Sequence, residues 1–130
     1  MTWDIKKRKS IGPLELGMNR RQVVDVLGGK FDTFKRVPGS TETIYAYDDE
    51  FVHLTFGEDG LLKIISIFRP RCVSYCGTQL LGRAILDVLS DLTENAIETQ
   101  KEDGGYWIEQ AGILLVEIKG LVDGIELYAE

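Results

Sequence analysis

The sequence predicts an α+β fold of two tandem helix-plus-antiparallel-meander repeats, with the helices on one face of the sheet. Two observations predict it. An apolar stripe at helical spacing followed by short β-prone runs occurs twice along the 130 residues. The two stretches also match segment by segment, Val24-Asp25-Val26-Leu27 on Leu86-Asp87-Val88-Leu89, at an offset of 62 (86 − 24). At that offset Arg21 falls on Arg83, Tyr45 on Trp107, and Val52, Leu54 and Phe56 on Leu114, Val116 and Ile118. Asp59-Gly60 falls on Asp123-Gly124 after a two-residue insertion (123 − 59 = 64). The expectation is one domain, 1–130, in two halves, 1–70 and 71–130, meeting at Arg69-Pro70-Arg71.

Each element has its own signal. Asn19 is a good N-cap and Gln22 lies three residues on, the pattern of a capping box. Val23, Val24 and Leu27 share one face of the short helix that follows, and Gly28 suits a left-handed C-cap. Strands are expected at 31–36, 42–47, 51–56 and 61–68. Val37-Pro38-Gly39-Ser40, Asp48-Asp49-Glu50 and Gly57-Glu58-Asp59-Gly60 are the turns between them. In the second half the stripe Ala84, Ile85, Val88, Leu89 and Leu92 predicts a helix at 80–92. Strands are then expected at 96–100, 106–110, 113–118 and 125–128, with turns at Asp103-Gly104-Gly105 and Ala111-Gly112.

Two such halves bury little alone, so their sheets are expected to join edge to edge beneath the helices. The opposite face is left open to solvent or a partner. Alternation assigns Ile44, Ala46, Val52, Leu54 and Phe56 to the core. It assigns Tyr45, Tyr47, Phe51, His53 and Thr55 outward, with Trp107, Leu115 and Glu117 outward in the second half.

Composition narrows the function classes. An apolar content of 44% without low-complexity tracts describes a folded chain. The apolar run Ile113-Leu114-Leu115-Val116 is far short of the ~20 residues that cross a bilayer, so no membrane contact is expected. The first eight residues have no apolar region behind their charges, so no signal peptide is expected, the location is read as cytoplasmic, and Cys72 and Cys76 are expected as free thiols. Net charge is −6 and unevenly spread. Residues 1–39 hold nine Lys/Arg and four Asp/Glu (+5), and residues 40–130 hold six and seventeen (−11). This acidity argues against nucleic acid and fits a basic protein partner, the plainer reading being that it keeps the chain soluble.

Catalytic and metal chemistry find no support. Cys72, Cys76 and His53 supply three of the four ligands a zinc site usually needs, and the cysteines have an ordinary Cys-x3-Cys spacing, so no metal and no cofactor are expected. The acidic turn Asp48-Asp49-Glu50 lacks the alternating oxygen spacing of calcium loops. No Gly-x-Ser-x-Gly or His-Glu-x-x-His is present, and no catalytic residue is assigned.

The stretch Leu16-Gly17-Met18-Asn19-Arg20-Arg21-Gln22-Val23-Val24-Asp25-Val26-Leu27-Gly28 resembles the opening of the small outer-membrane lipoproteins of the SmpA/OmlA (BamE) type. The same opening, apolar-Gly-Met-Ser/Thr, a polar pair, Val and Leu-Gly, is seen in the beta-lactamase inhibitor protein, a tandem of such units. The resemblance implies their architecture and their habit of binding proteins on an open sheet face. Small acidic cytosolic proteins of this kind also resemble bacterial immunity proteins, which neutralise secreted toxins.

The expected function is therefore a cytosolic protein-binding inhibitor and not an enzyme: an immunity protein that neutralises a basic, nuclease-type toxin by stoichiometric occlusion. Its expected contacts are the aromatics Tyr45, Tyr47 and Trp107, the turn acids Asp48, Asp49 and Glu50, and His53, Glu109 and Glu117. The alternatives are a small-ligand-binding or enzymatic domain using the open face through Tyr45, His53 and Thr55, or an adaptor subunit with no inhibitory role.

Overall fold

The structure, a computed structural model, describes residues 2–129. Met1 and Glu130, the outer limits of the two expected halves, lie outside the described residues. The elements are β1 (Thr2–Lys6), β2 (Ser10–Ile11), β3 (Leu14–Glu15), α1 (Arg20–Leu27), β4 (Asp32–Lys35), β5 (Thr43–Tyr47), β6 (Val52–Phe56), β7 (Leu62–Phe68), β8 (Cys72–Tyr75), β9 (Thr78–Gln79), α2 (Ile85–Glu94), β10 (Gln100–Glu102), β11 (Gly105–Ile108), β12 (Ile113–Ile118) and β13 (Leu121–Tyr128). Single 3-10 turns, Asp48–Glu50 and Glu109–Ala111, link β5 to β6 and β11 to β12.

The expected fold of two helix-plus-meander repeats is overturned. The chain is mostly antiparallel sheet, in two sheets: one of five strands, ordered β3-β2-β1-β8-β9, and one of eight, ordered β10-β11-β12-β13-β7-β6-β5-β4. The five-stranded sheet is built from segments that periodicity left unassigned. β1 runs parallel to β8, with Thr2 opposite Cys72 and Asp4 opposite Ser74, so residues 70 positions apart (72 − 2) are neighbours. Strands of two residues, such as β2, β3 and β9, carry no readable alternation of their own. Their partners hold them, through pairs such as Ile11 with Leu14 and Tyr75 with Thr78.

Local signals survive where a few adjacent residues decide the outcome. At the start of α1 the Gln22 amide donates to Asn19 Oδ1 at 2.9 Å, and the Asn19 amide donates to Gln22 Oε1 at 2.9 Å. Gly28 ends the helix with φ 92° and ψ −176°, which is not the left-handed helical conformation expected of it. α2 begins at Ile85, five residues later than expected. Residues 80–84 instead bridge to the β12–β13 hairpin: the Gly82 amide donates to Val122 O, the Val122 amide to Arg83 O, and the Ile85 amide to Gly120 O, each at 2.8–2.9 Å.

The matched offset of 62 is one residue out of register. The two 3-10 turns begin 61 positions apart (109 − 48), and a slip of one residue in a strand moves its side chains to the other face. Val52, Leu54 and Phe56 are buried in the core, whereas Leu114 and Val116 are half-buried and Ile118 is exposed. Asp123-Gly124 is not a turn either. It lies within β13, where Asp123 pairs with Arg69 at 2.9 Å. Gly124 sits opposite Phe68 so closely that a Cβ there would stand 3.1 Å from the Phe68 ring.

Pairing across the eight-stranded sheet aligns Tyr45, Leu54, Ile65, Leu127, Ile113 and Ile108 in one row. Tyr47, Val52, Ile67, Ile125, Leu115 and Tyr106 form the next. These rows join Val23 of α1, Val88 and Leu92 of α2, and Ile5, Ile11, Leu14 and Val73 of the small sheet in one cluster. Burial of each such aliphatic side chain contributes about 1.5–3 kcal/mol before chain entropy is counted. The other side of the sheet carries Asp32, Ala46, His53, Ser66, Glu126, Leu114, Trp107 and Gln100 in one row. Phe34, Ile44, Thr55, Ile64 and Tyr128 form its neighbour. No apolar residue of these two rows joins the cluster that holds the helices and the small sheet, so this face is left open.

Cys72 opens β8 and Cys76 follows it in the turn to β9; both are exposed and free. Four residues of extended chain separate their Cα atoms by about 13 Å, well beyond the ~7 Å limit for a disulfide. Titration of the denatured, unreduced protein is expected to find two thiols per chain. An intrachain disulfide would contradict the β8 pairing.

Candidate protein-binding face

The open face gathers aromatic rings around one carboxylate. Glu126 lies on β13 between Ser66 of β7 and Leu114 of β12. The Tyr128 hydroxyl donates to Glu126 Oε1 at 2.7 Å, and the Ser66 hydroxyl donates to Oε2 at 3.4 Å. Trp107 meets Tyr128 edge to face, with centroids 5.6 Å apart at 70°. On the other side His53 lies between Phe68, at 4.9 Å, and Phe34, at 5.8 Å, both edge-on. His53 Nε2 is 3.0 Å from Asp48 Oδ1. His53 and Trp107 stand four strand spacings apart on this strip, about 19 Å along the sheet. Ile44, Ala46, Thr55, Ile64 and Ser66 in the same rows are buried at the level of the sheet, while the larger rings stand partly exposed.

Burial, and then the hydrogen bond and charge of Glu126, push the Tyr128 phenol up to about 12 from an ordinary value of 10.0. Its neutral form is favoured in the folded chain, so this contribution to stability is fully present below pH ~10 and is lost as pH rises through about 12. Ultraviolet titration is expected to show a tyrosinate step near pH 12 that vanishes in Tyr128→Phe. A Tyr128 step near pH 10 in the folded protein would contradict the partly buried bond to Glu126. Burial also raises the phenols of Tyr47 and Tyr75.

Of the residues expected from sequence to contact a partner, Trp107, His53 and Asp48 adjoin this strip. Tyr47 does not: it is 1% exposed on the core side, its hydroxyl donating to Gly28 O at 2.9 Å at the end of α1. Tyr45 is also on the core side, stacked on Phe31 at 4.4 Å and 14°, with the Arg20 guanidinium 5.7 Å from its ring centre. The reason is register. Phe51, left-handed at φ 59°, closes the 3-10 turn outside the strand, and Tyr47 and Tyr45 then fall opposite Val52 and Leu54. Those two aliphatics define the core side, so the tyrosines share it. Ile44 and Ala46, expected inward, take the open side. Leu115, expected outward, is fully buried in the core.

Two of the three turn acids are already matched with cations. Asp49 pairs with Lys30 at 2.9 Å and Glu50 with Arg71 at 2.7 Å, while Asp48 faces His53. Exposed pairs of this kind add little to stability, but they reduce the field the turn projects. Glu109 is exposed in its 3-10 turn, where its backbone carbonyl accepts from Arg8 Nη2. Glu117 follows a bulge that sets it opposite the core residue Val122, and its carboxylate accepts the Gly120 amide at 2.8 Å, closing the hairpin.

Sequence reasoning missed Phe34, Phe68, Glu126 and Tyr128. Alternation at 124–128 already separated Glu126 and Tyr128 from Ile125 and Leu127, and that signal was readable. Phe34 and Phe68 became visible only through cross-strand pairing. Among the described residues no group of three or more His, Cys, Asp or Glu is placed to hold a metal ion. No helix there is long and apolar enough to cross a membrane. Comparison with known proteins finds no matching family model, curated protein or solved structure.

Proposed function

We propose that the chain is a cytoplasmic protein-binding inhibitor of the immunity type, which neutralises a basic, nuclease-type toxin by covering it one to one. The open sheet face carries this reading. Phe34, Phe68, Trp107 and Tyr128 present rigid apolar area that costs little entropy to immobilise. Glu126, held by Tyr128 and Ser66, offers a charge that a partner's Arg or Lys would complement. The net charge of −6 supports the same reading.

Gene context and reconstitution test it. A secreted-toxin gene beside this one, and a basic toxin domain that binds the purified chain one to one and loses its activity, are the expected results. A one-to-one complex in which the toxin stays active leaves an adaptor role instead. A small metabolite bound on the face, with no protein partner, overturns the reading.

A further inference from the structure

We propose that two copies of this chain pair antiparallel through their β4 edges, forming one continuous sheet whose two open faces look the same way. β4 is the last strand of the eight-stranded sheet, and all four of its residues are exposed. One side of its backbone bonds to β5, which leaves the other side as a template for a further strand. The occupant is argued from charge. A two-fold axis normal to the sheet pairs only residues of the same face. With the axis at Phe34, the two Phe34 rings meet, and Asp32 of each copy faces Arg36 of the other, the residue that directly follows β4.

Asp32 and Arg36 form no ion pair within their own chain among the described residues. The edge also carries exposed apolar groups, with Phe34 at 44% and Val37 at 57% exposure. The opposite edge, β10, matches less well: a register centred on Lys101 sets Lys against Lys, and one centred on Glu102 sets Glu against Glu, with Lys101 facing Asp103 beside it. The pairing does not rest on the toxin reading, although Phe34 belongs to both surfaces, because sedimentation of the chain alone reads it.

Sedimentation velocity at low salt from about 1 μM to about 1 mM, the range suited to a small interface, is the test. The wild type is expected to shift from monomer to dimer. Asp32→Arg or Arg36→Asp alone should weaken the dimer about tenfold or more, by setting like charges opposite one another twice. The double reversal D32R/R36D should return the wild-type constant, and that recovery also shows that the exposed substitutions leave the fold intact. A wild type that stays monomeric throughout, a dimer indifferent to the single reversals, or a double reversal that fails to recover would each overturn the proposal.

Discussion

Replacing Tyr47 by Ala is expected to cost about 3–5 kcal/mol of folding stability, a large part of the 5–15 kcal/mol typical of a domain. The side chain is almost wholly buried, touches Phe31 at 5.2 Å between centroids, and ties β5 to the end of α1 through Gly28 O. Truncation leaves a cavity between sheet and helix and removes the donor from that carbonyl. Tyr47→Phe separates the two effects, since it keeps the ring and removes only the hydroxyl, for about 0.5–1.5 kcal/mol. Urea unfolding of both variants measures the ladder. A Tyr47→Ala midpoint equal to wild type, combined with weakened partner binding, would return Tyr47 to the surface where sequence alternation first put it.

Trp107→Ala is expected to do the reverse. The residue is half-buried on the open face, against Tyr128, and contributes nothing to the core cluster. Its loss should change folding stability little. It should speed dissociation of a toxin complex tenfold or more, a loss of at least about 1.4 kcal/mol. Tyr128→Ala should also speed dissociation, but with a loss of folding stability besides, because it removes the donor to Glu126. Reversing Asp48, Asp49 and Glu50 should slow association only modestly, because Lys30 and Arg71 already pair with two of them. Stopped-flow association and dissociation rates across salt concentration distinguish anchoring from steering. A Trp107→Ala complex that dissociates at the wild-type rate removes the open face from the interface.

The sheet shows why some residues were legible and others were not. Periodicity located β12 to the residue and β5, β6 and β7 to within one, because each is an apolar run bounded by a turn signal. It misplaced the start of α2, where backbone bonds to Gly120 and Val122 hold residues 80–84 in a bridge rather than a helix. In β5, Thr43-Ile44-Tyr45-Ala46-Tyr47 offers two plausible apolar faces. Tyrosine is amphipathic enough for either, and the sequence alone favoured Ile44 and Ala46. The register with Val52 and Leu54 decided for the tyrosines.

By itself the sequence determined the features that arise within a few residues: the Asn19–Gln22 capping box, the acidic turn at 48–50, the hairpin turn at 57–60 and the apolar strand at 113–118. Each rests on hydrogen bonds or alternation that close over one turn or one strand. Tertiary structure alone decided which face β5 and β12 present, that β1 and β8 pair in parallel, and that Phe34, His53, Phe68, Trp107, Glu126 and Tyr128 share one open strip. A strand's outward side is set by the strand beside it, and a one-residue change of register reverses every side chain. A two-residue strand draws its stability from partners placed far along the chain, beyond the reach of any local pattern.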